Sequence, residues 1–290
     1  MAGAGIKIIN KRIRSVKSTQ QITKAMKMVS AAKLRRAQDR LIAGRPYSGK
    51  LMQLLQRLAG AGSADHPLFE QREVKTRLYV VVTSDKGLCG AYNMNVIRSA
   101  ETAMKADVEA GIAVQVYAVG RRCRDYFKKR DFEMVRSHDD FGGAASDKKA
   151  RTITDFVVAQ FLEGLVDEVR LGYAEFITTL TQRPTVGTCL PISPPEATEE
   201  DETGVELDYI WEPNKEEIYA ALLPQYLHNR VYIMLCEAYA SEHGARMTSM
   251  SAATENAGEL IDALTLKRNR ERQAAITQEL TEIVGGAAAL

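Results

Sequence analysis

The longest uninterrupted helical patterns in this chain stand at its two ends, and each is too long for a compact domain. From Ile6 to Leu58, apolar residues recur in steps of three and four: Ile6, Ile9, Ile13 and Val16, then Ile22, Ala25, Val29 and Ala32. That spacing describes a narrow seam of the a/d type. A change of phase near Ser18–Gln21 is expected between the two runs, and Gly44 and Pro46 are expected to kink or interrupt the helix. The second pattern starts at Trp211-Glu-Pro213, continues through Leu227, Val231, Met234 and Ala238, then Met250, Ala253, Ala257, Leu260 and Leu264, and resumes at Ile276, Leu280 and Ile283. Pro224 is expected to break its first turns. At ~1.5 Å per residue the helices reach roughly 80 and 105 Å, against a mean of about 11–12 residues for globular helices. Each seam needs a partner, and the nearest is the other seam in antiparallel pairing.

Between the ends, roughly 65–212, the period changes. Strands are expected over Leu78–Thr83, Ile112–Val119, Phe132–Ser137, Val169–Leu180 and Val186–Ile192. Helices are expected over Met94–Ala110, Arg121–Arg130 and Thr152–Val166. Alternation of this kind argues a mainly parallel sheet with helices on its faces. The acidic run near 196–206 reads as a solvated loop.

Charge is distributed unevenly although the whole chain carries only +2. Residues 1–64 hold fourteen Lys and Arg against the single acid Asp39, a net of +13. Such a stripe expects negative charge opposite it. An acidic protein surface, a nucleic acid and a plain solvated face are the three readings. Nucleic acid is poorly served, because Tyr47 is the only aromatic in the segment and base stacking needs more.

Four scattered cysteines form neither a disulfide framework nor a zinc pattern, and no run of about 18 apolar residues is long enough to cross a membrane. Gly44-Arg-Pro-Tyr-Ser-Gly-Lys50 spells most of a phosphate-binding loop but ends in Leu51 and follows no strand, so a helix interruption is the better reading. Thr83-Ser-Asp-Lys-Gly-Leu-Cys-Gly90 does follow a strand, and can be a strand-to-helix turn, a partner-contact loop or a cofactor site. The small apolar tip Ile283–Leu290 is either a frayed end or a pivot that turns in an apolar sleeve.

Four motifs in order carry a resemblance. Ile22-Thr-Lys-Ala-Met-Lys-Met-Val-Ser-Ala-Ala-Lys33, Ser84-Asp-Lys-Gly-Leu-Cys-Gly90, Ala245-Arg-Met-Thr-Ser-Met-Ser-Ala-Ala-Thr-Glu-Asn-Ala257 and Arg272-Gln-Ala-Ala-Ile-Thr-Gln-Glu-Leu280 resemble the signatures of the F-type ATP synthase gamma subunit. The resemblance covers the whole chain. It implies an α+α/β architecture: a long antiparallel coiled coil of the N-terminal (1–60) and C-terminal (213–290) helices on a Rossmann-like α/β domain (65–212). It also implies a non-catalytic rotor without cofactor or metal, turning inside a ring of three alpha and three beta subunits. Its base would join epsilon and the membrane c-ring, at the cytoplasmic side of the inner membrane.

By motif match, Lys24, Met26 and Lys27 would meet the acidic lever loops of beta, with Asp85, Lys86 and Cys89 at the base of the coil. Arg246, Gln273, Thr277 and Glu279 would bond beta higher up, and Asp208, Tyr209 and Glu212 would face the c-ring and epsilon. One departure is Arg268, where most relatives carry an aromatic before Asn269. The inserted cysteine pair of the photosynthetic form is missing, so no thiol switch is expected.

Overall fold

A computed structural model describes residues 2–59, 66–139, 145–192, 212 and 214–288. The chain divides into two compact units, one of Met1–Ala31 with Arg246–Leu290 and one of Ala32–Ala245. Helices α1 (Ala2–Ala59) and α5 (Lys215–Ala288) contribute to both. Neither Pro46 nor Pro224 ends its helix: each lies inside a continuous helix, contrary to the breaks expected from sequence. A proline removes one backbone donor, and the surrounding apolar contacts keep the helix running past it. Leu41, Leu51 and Leu55 flank Pro46, and Leu223 and Leu227 flank Pro224, all of them buried.

In the first unit α1 and α5 lie antiparallel. Thr23 Oγ1 and Thr254 Oγ1 share a hydrogen bond of 2.8 Å, and Lys27 Nζ donates to Ser251 Oγ at 2.8 Å. Ile9, Ile13 and Leu264 form the apolar cluster, with Val16 and Ile261 against it. The phase change expected near residue 20 does not occur. Ile9, Val16, Thr23 and Ser30 occupy one heptad position, and in the second unit Ala37, Leu51 and Leu58 continue it. The seam turns polar at Thr23 and Ser30, so apolar periodicity alone slips by one residue onto Ile22, Ala25, Val29 and Ala32. Those four face outward. On α5, Ile261 rather than Leu260 packs inward for the same reason.

The second unit holds a five-stranded sheet of order β3-β2-β1-β4-β5. Its strands are β1 (Thr76–Val82), β2 (Ala113–Val119), β3 (Glu133–His138), β4 (Glu168–Phe176) and β5 (Gln182–Leu190). The first four are parallel and β5 pairs antiparallel with β4. Helices α2 (Tyr92–Glu109), α3 (Arg121–Phe127) and α4 (Asp147–Leu162) connect them. α4 begins one turn earlier than its apolar pattern suggests, because the Ser146 side chain caps it by accepting from Lys149 N. β1 is buried on both faces, as a central parallel strand should be. Tyr79 and Val81 pack with Val96, Ile97, Ala100 and Met104 of α2. On β2, Tyr117 meets Phe156 of α4 edge-on at 5.2 Å. α5 is tied to this layer by Tyr92 Oη donating to Ala238 O at 3.0 Å and Ser241 Oγ to Ala174 O at 2.9 Å.

A charged network lies buried where β1 and β4 begin. Arg77 pairs with Asp107 of α2 and, at 2.6 Å, with Glu168 of β4. Glu168 also accepts from Arg170 at 2.7 Å and from Thr188 at 2.9 Å, and Tyr79 donates to Asp107. Burial works against the charge on Glu168, but its bonds with Arg170, Arg77 and Thr188 outweigh it and hold the carboxyl below the usual range. Burial, with the bond to Asp107, pushes Tyr79 up to about 12. All four cysteines are free and buried. Burial raises the thiols of Cys123, Cys189 (to about 11) and Cys236, so these three stay protonated and inert at neutral pH.

Candidate functional site

Three surfaces carry the residues singled out by sequence. The first is the outer face of α1 in the first unit. Lys24 and Lys27 are exposed and Met26 is half-buried beside the seam. Ile22, Met28 and Val29 stand outward between them, each 57–59% exposed. Sequence reasoning assigned Ile22 and Val29 to the seam, so their outward position is new. The polar seam beneath has its own logic. Thr23 Oγ1 reaches both Gln20 O at 3.0 Å and Thr254 Oγ1, and a polar residue at a core heptad position fixes axial register at some cost in stability.

The helices of this unit differ in charge. Residues 2–31 carry seven Lys and Arg and no acid, whereas residues 246–288 carry five basic and six acidic residues. All seven cations of α1 within this unit are exposed, and none forms an ion pair with a described residue. The shaft is therefore positive along one helix and mixed along the other. Arg246 is buried, while Gln273, Thr277 and Glu279 are exposed. Carrying the Thr23–Thr254 register back to the start of α1 reaches the neighbourhood of Ala275. Beyond it α5 has no helix alongside from α1, which leaves Ile276, Leu280, Ile283 and Val284 at 50–68% exposure. Arg268 is half-buried and donates to Asn269 Oδ1 at 3.2 Å.

The second surface is the turn after β1. Ser84 N and Ser84 Oγ both bond Asn93 Oδ1 at 2.9 Å, and Asn93 Nδ2 donates to Cys89 Sγ at 3.1 Å. Asp85 Oδ1 accepts from Arg121 N at 3.0 Å. Cys89 is buried and braces the loop from inside, so the surface it presents is Lys86 and Leu88. Leu88 has φ +63° and is 62% exposed, a conformation that leucine rarely adopts. Neither this strain nor the exposed neighbours Arg121 and Arg122 was legible in the motif. Gly120, at φ +94°, lets the start of α3 approach: a Cβ there would sit 2.3 Å from Thr83 O.

The third surface is represented by Glu212, which is exposed; Asp208, Tyr209 and the acidic loop near 196–206 lie outside the described residues. The Gly44–Lys50 stretch is helical throughout, with Gly44 close against Ile233 of α5, so it forms no phosphate loop.

Two long helices that pair antiparallel in one unit, and a mainly parallel α/β sheet in the other, define the class of fold. A family model described as ATP synthase matches residues 5–290. The chain is 49% identical over 288 residues to the ATP synthase gamma chain of Desulforamulus reducens, covering 99% of both chains. It is 48% identical over 288 residues to that of Moorella thermoacetica, again 99% of each. Its fold matches a chain in the Euglena gracilis mitochondrial ATP synthase assembly of OSCP, F1 and c-ring, with TM-score 0.70, 21% identity and coverage of 99% and 95%. The chain belongs to the ATP synthase gamma-chain family.

Proposed function

We propose that this chain carries torque and no chemistry of its own. Proton flow through a membrane c-ring turns it, and the shaft drives the catalytic beta subunits of an alpha–beta ring through their conformational cycle, in synthesis or in reverse. The observation that carries the reading is the charge asymmetry of the coiled-coil unit, an all-positive α1 face beside a mixed α5 face. A ligand shifts a conformational equilibrium only by binding one state better than another. A shaft with identical faces would favour every beta subunit equally and select none. Inverting a two-state population takes about 5.5 kcal/mol, while one exposed ion pair contributes about 0.2–1 kcal/mol. Several cations must therefore engage together, which a stripe provides and a single residue does not.

In this reading Lys24, Met26 and Lys27 meet acidic loops of beta, with Ile22 and Val29 as apolar neighbours. Asp85, Lys86 and Cys89 serve at the base of the coil, Cys89 by bracing the loop. Arg246, Gln273, Thr277 and Glu279 act higher on the shaft, and Asp208, Tyr209 and Glu212 toward epsilon and the c-ring. The protein is then peripheral at the cytoplasmic face of the inner membrane. Among the described residues no helix is long and apolar enough to cross a bilayer, which fits attachment through partners.

The test is reconstitution with alpha and beta subunits. One copy of the chain per ring should stimulate ATP hydrolysis, and Lys24→Glu with Lys27→Glu should slow turnover while the ring still assembles. A ring that assembles and turns over equally well without the chain would overturn the reading.

A further inference from the structure

A groove of about 820 Å³ lies within the second unit between α4 and α5, with Tyr47 of α1 at its side. Its lining is mixed in chemistry. Asp147 is already matched: His228 Nε2 stands 2.6 Å from Asp147 Oδ1, and Arg151 Nη2 stands 3.7 Å from Asp147 Oδ2. Asp155, one helical turn beyond Arg151, also lines the groove and is exposed, yet it forms no hydrogen bond or ion pair with any described residue. Val158, Leu162 and Pro224 add apolar lining, with Leu162 48% exposed. The rings of Tyr47 and Tyr232 line the same space.

An unpaired carboxylate, two phenol rings and apolar lining in one cavity form a selective set. The carboxylate attracts a cation and repels an anion, aromatic faces add cation–π attraction, and the apolar lining rewards an apolar body that displaces water. A metal ion would find Asp147 already matched by His228 and Arg151, and beyond Asp155 only the amide oxygens of Gln225 and Asn229. A neutral compound would forgo the charge. We propose that the α4–α5 groove is a binding site for a small amphipathic organic cation of the aryl-ammonium type. The site does not depend on the rotor reading.

The experiment is ligand-observed saturation-transfer NMR with calorimetric titration on the full chain, with benzyltrimethylammonium as the probe and 2-phenylethanol as the neutral control. A probe of this size should bind saturably with a Kd of roughly 1 mM. Asp155→Asn should weaken it about 10-fold and Tyr47→Leu about 5-fold, with melting curves confirming that both variants fold. The neutral control should bind at least about 10-fold more weakly than the probe. No saturable binding of the cation, equal binding of the neutral control, or unchanged affinity in both folded variants would each overturn the proposal.

Discussion

Replacing Arg77 by methionine tests the buried network on which the sheet is built. Its side chain is 8% exposed, and those of Asp107 and Glu168 are each 10% exposed. Removing the guanidinium leaves Asp107 without its cation and Glu168 with Arg170 alone. Breaking one partner of such a cluster costs about 3–5 kcal/mol, which for a unit of this size lowers the melting midpoint by roughly 6–20 °C. The pH dependence separates this cause from simple loss of packing. Glu168 is held below its ordinary range in the intact protein, so its contribution is present at neutral pH and is lost as pH falls through the folded pKa. Arg77 supplies part of that contribution beside Arg170 and Thr188, so the variant has less of it to lose in acid. The deficit of Arg77→Met should therefore shrink as pH falls below the ordinary glutamate range near 4.5, and Arg77→Met with Asp107→Asn and Glu168→Gln should recover most of the stability at pH 7. Thermal unfolding followed by circular dichroism reads both. A variant that melts within about 2 °C of the parent at pH 7, or a deficit unchanged in acid, would refute the reasoning.

Alkali should act through Tyr79: because its folded pKa is raised to about 12, stability is retained below the ordinary tyrosine range near 10 and declines as pH rises toward 12. Urea titrations at the two limits should show that decline reduced in Tyr79→Phe. Gly120→Ala should destabilise by about 3 kcal/mol or more, since its Cβ would meet a backbone carbonyl at positive φ. Gly87→Ala meets only the movable end of Arg122, at 2.6 Å, and should cost under about 1 kcal/mol; equal melting of the two would be wrong for this geometry. At the seam, Thr23→Val or Thr254→Val alone should each cost about 1 kcal/mol and the double variant less than their sum, measured by a double-mutant cycle.

The order of elements was legible because strand runs such as Leu78–Val82 and amphipathic stretches such as α2 announce their period in the chain itself. The seam was legible only where it is apolar. At Thr23 and Ser30 the inward residues are polar while Ile22 and Val29 face out, and a pattern that tracks hydrophobicity then picks the wrong face. The Arg77 network could not be seen at all, for its partners stand 30 and 91 positions away and only the β1–β4 register and α2 bring them together. Lys24, Lys27 and Lys86 were found with their exposure intact. Cys89 and Arg246 are buried residues inside otherwise exposed motifs, and a motif does not report burial. The tip of the turn is made by Leu88 and its positive φ, which nothing in the residue type foretells.

The most direct test of the central claim is to watch the shaft turn. Cys89, Cys123, Cys189 and Cys236 are buried, so a cysteine placed at exposed Lys129 can be biotinylated selectively and carry a bead in the complex reconstituted on a surface. With ATP supplied, the account predicts that the bead rotates in one direction with regular pauses, and that Lys24→Glu with Lys27→Glu lengthens those pauses. Steady ATP hydrolysis by single complexes whose bead does not turn would contradict it.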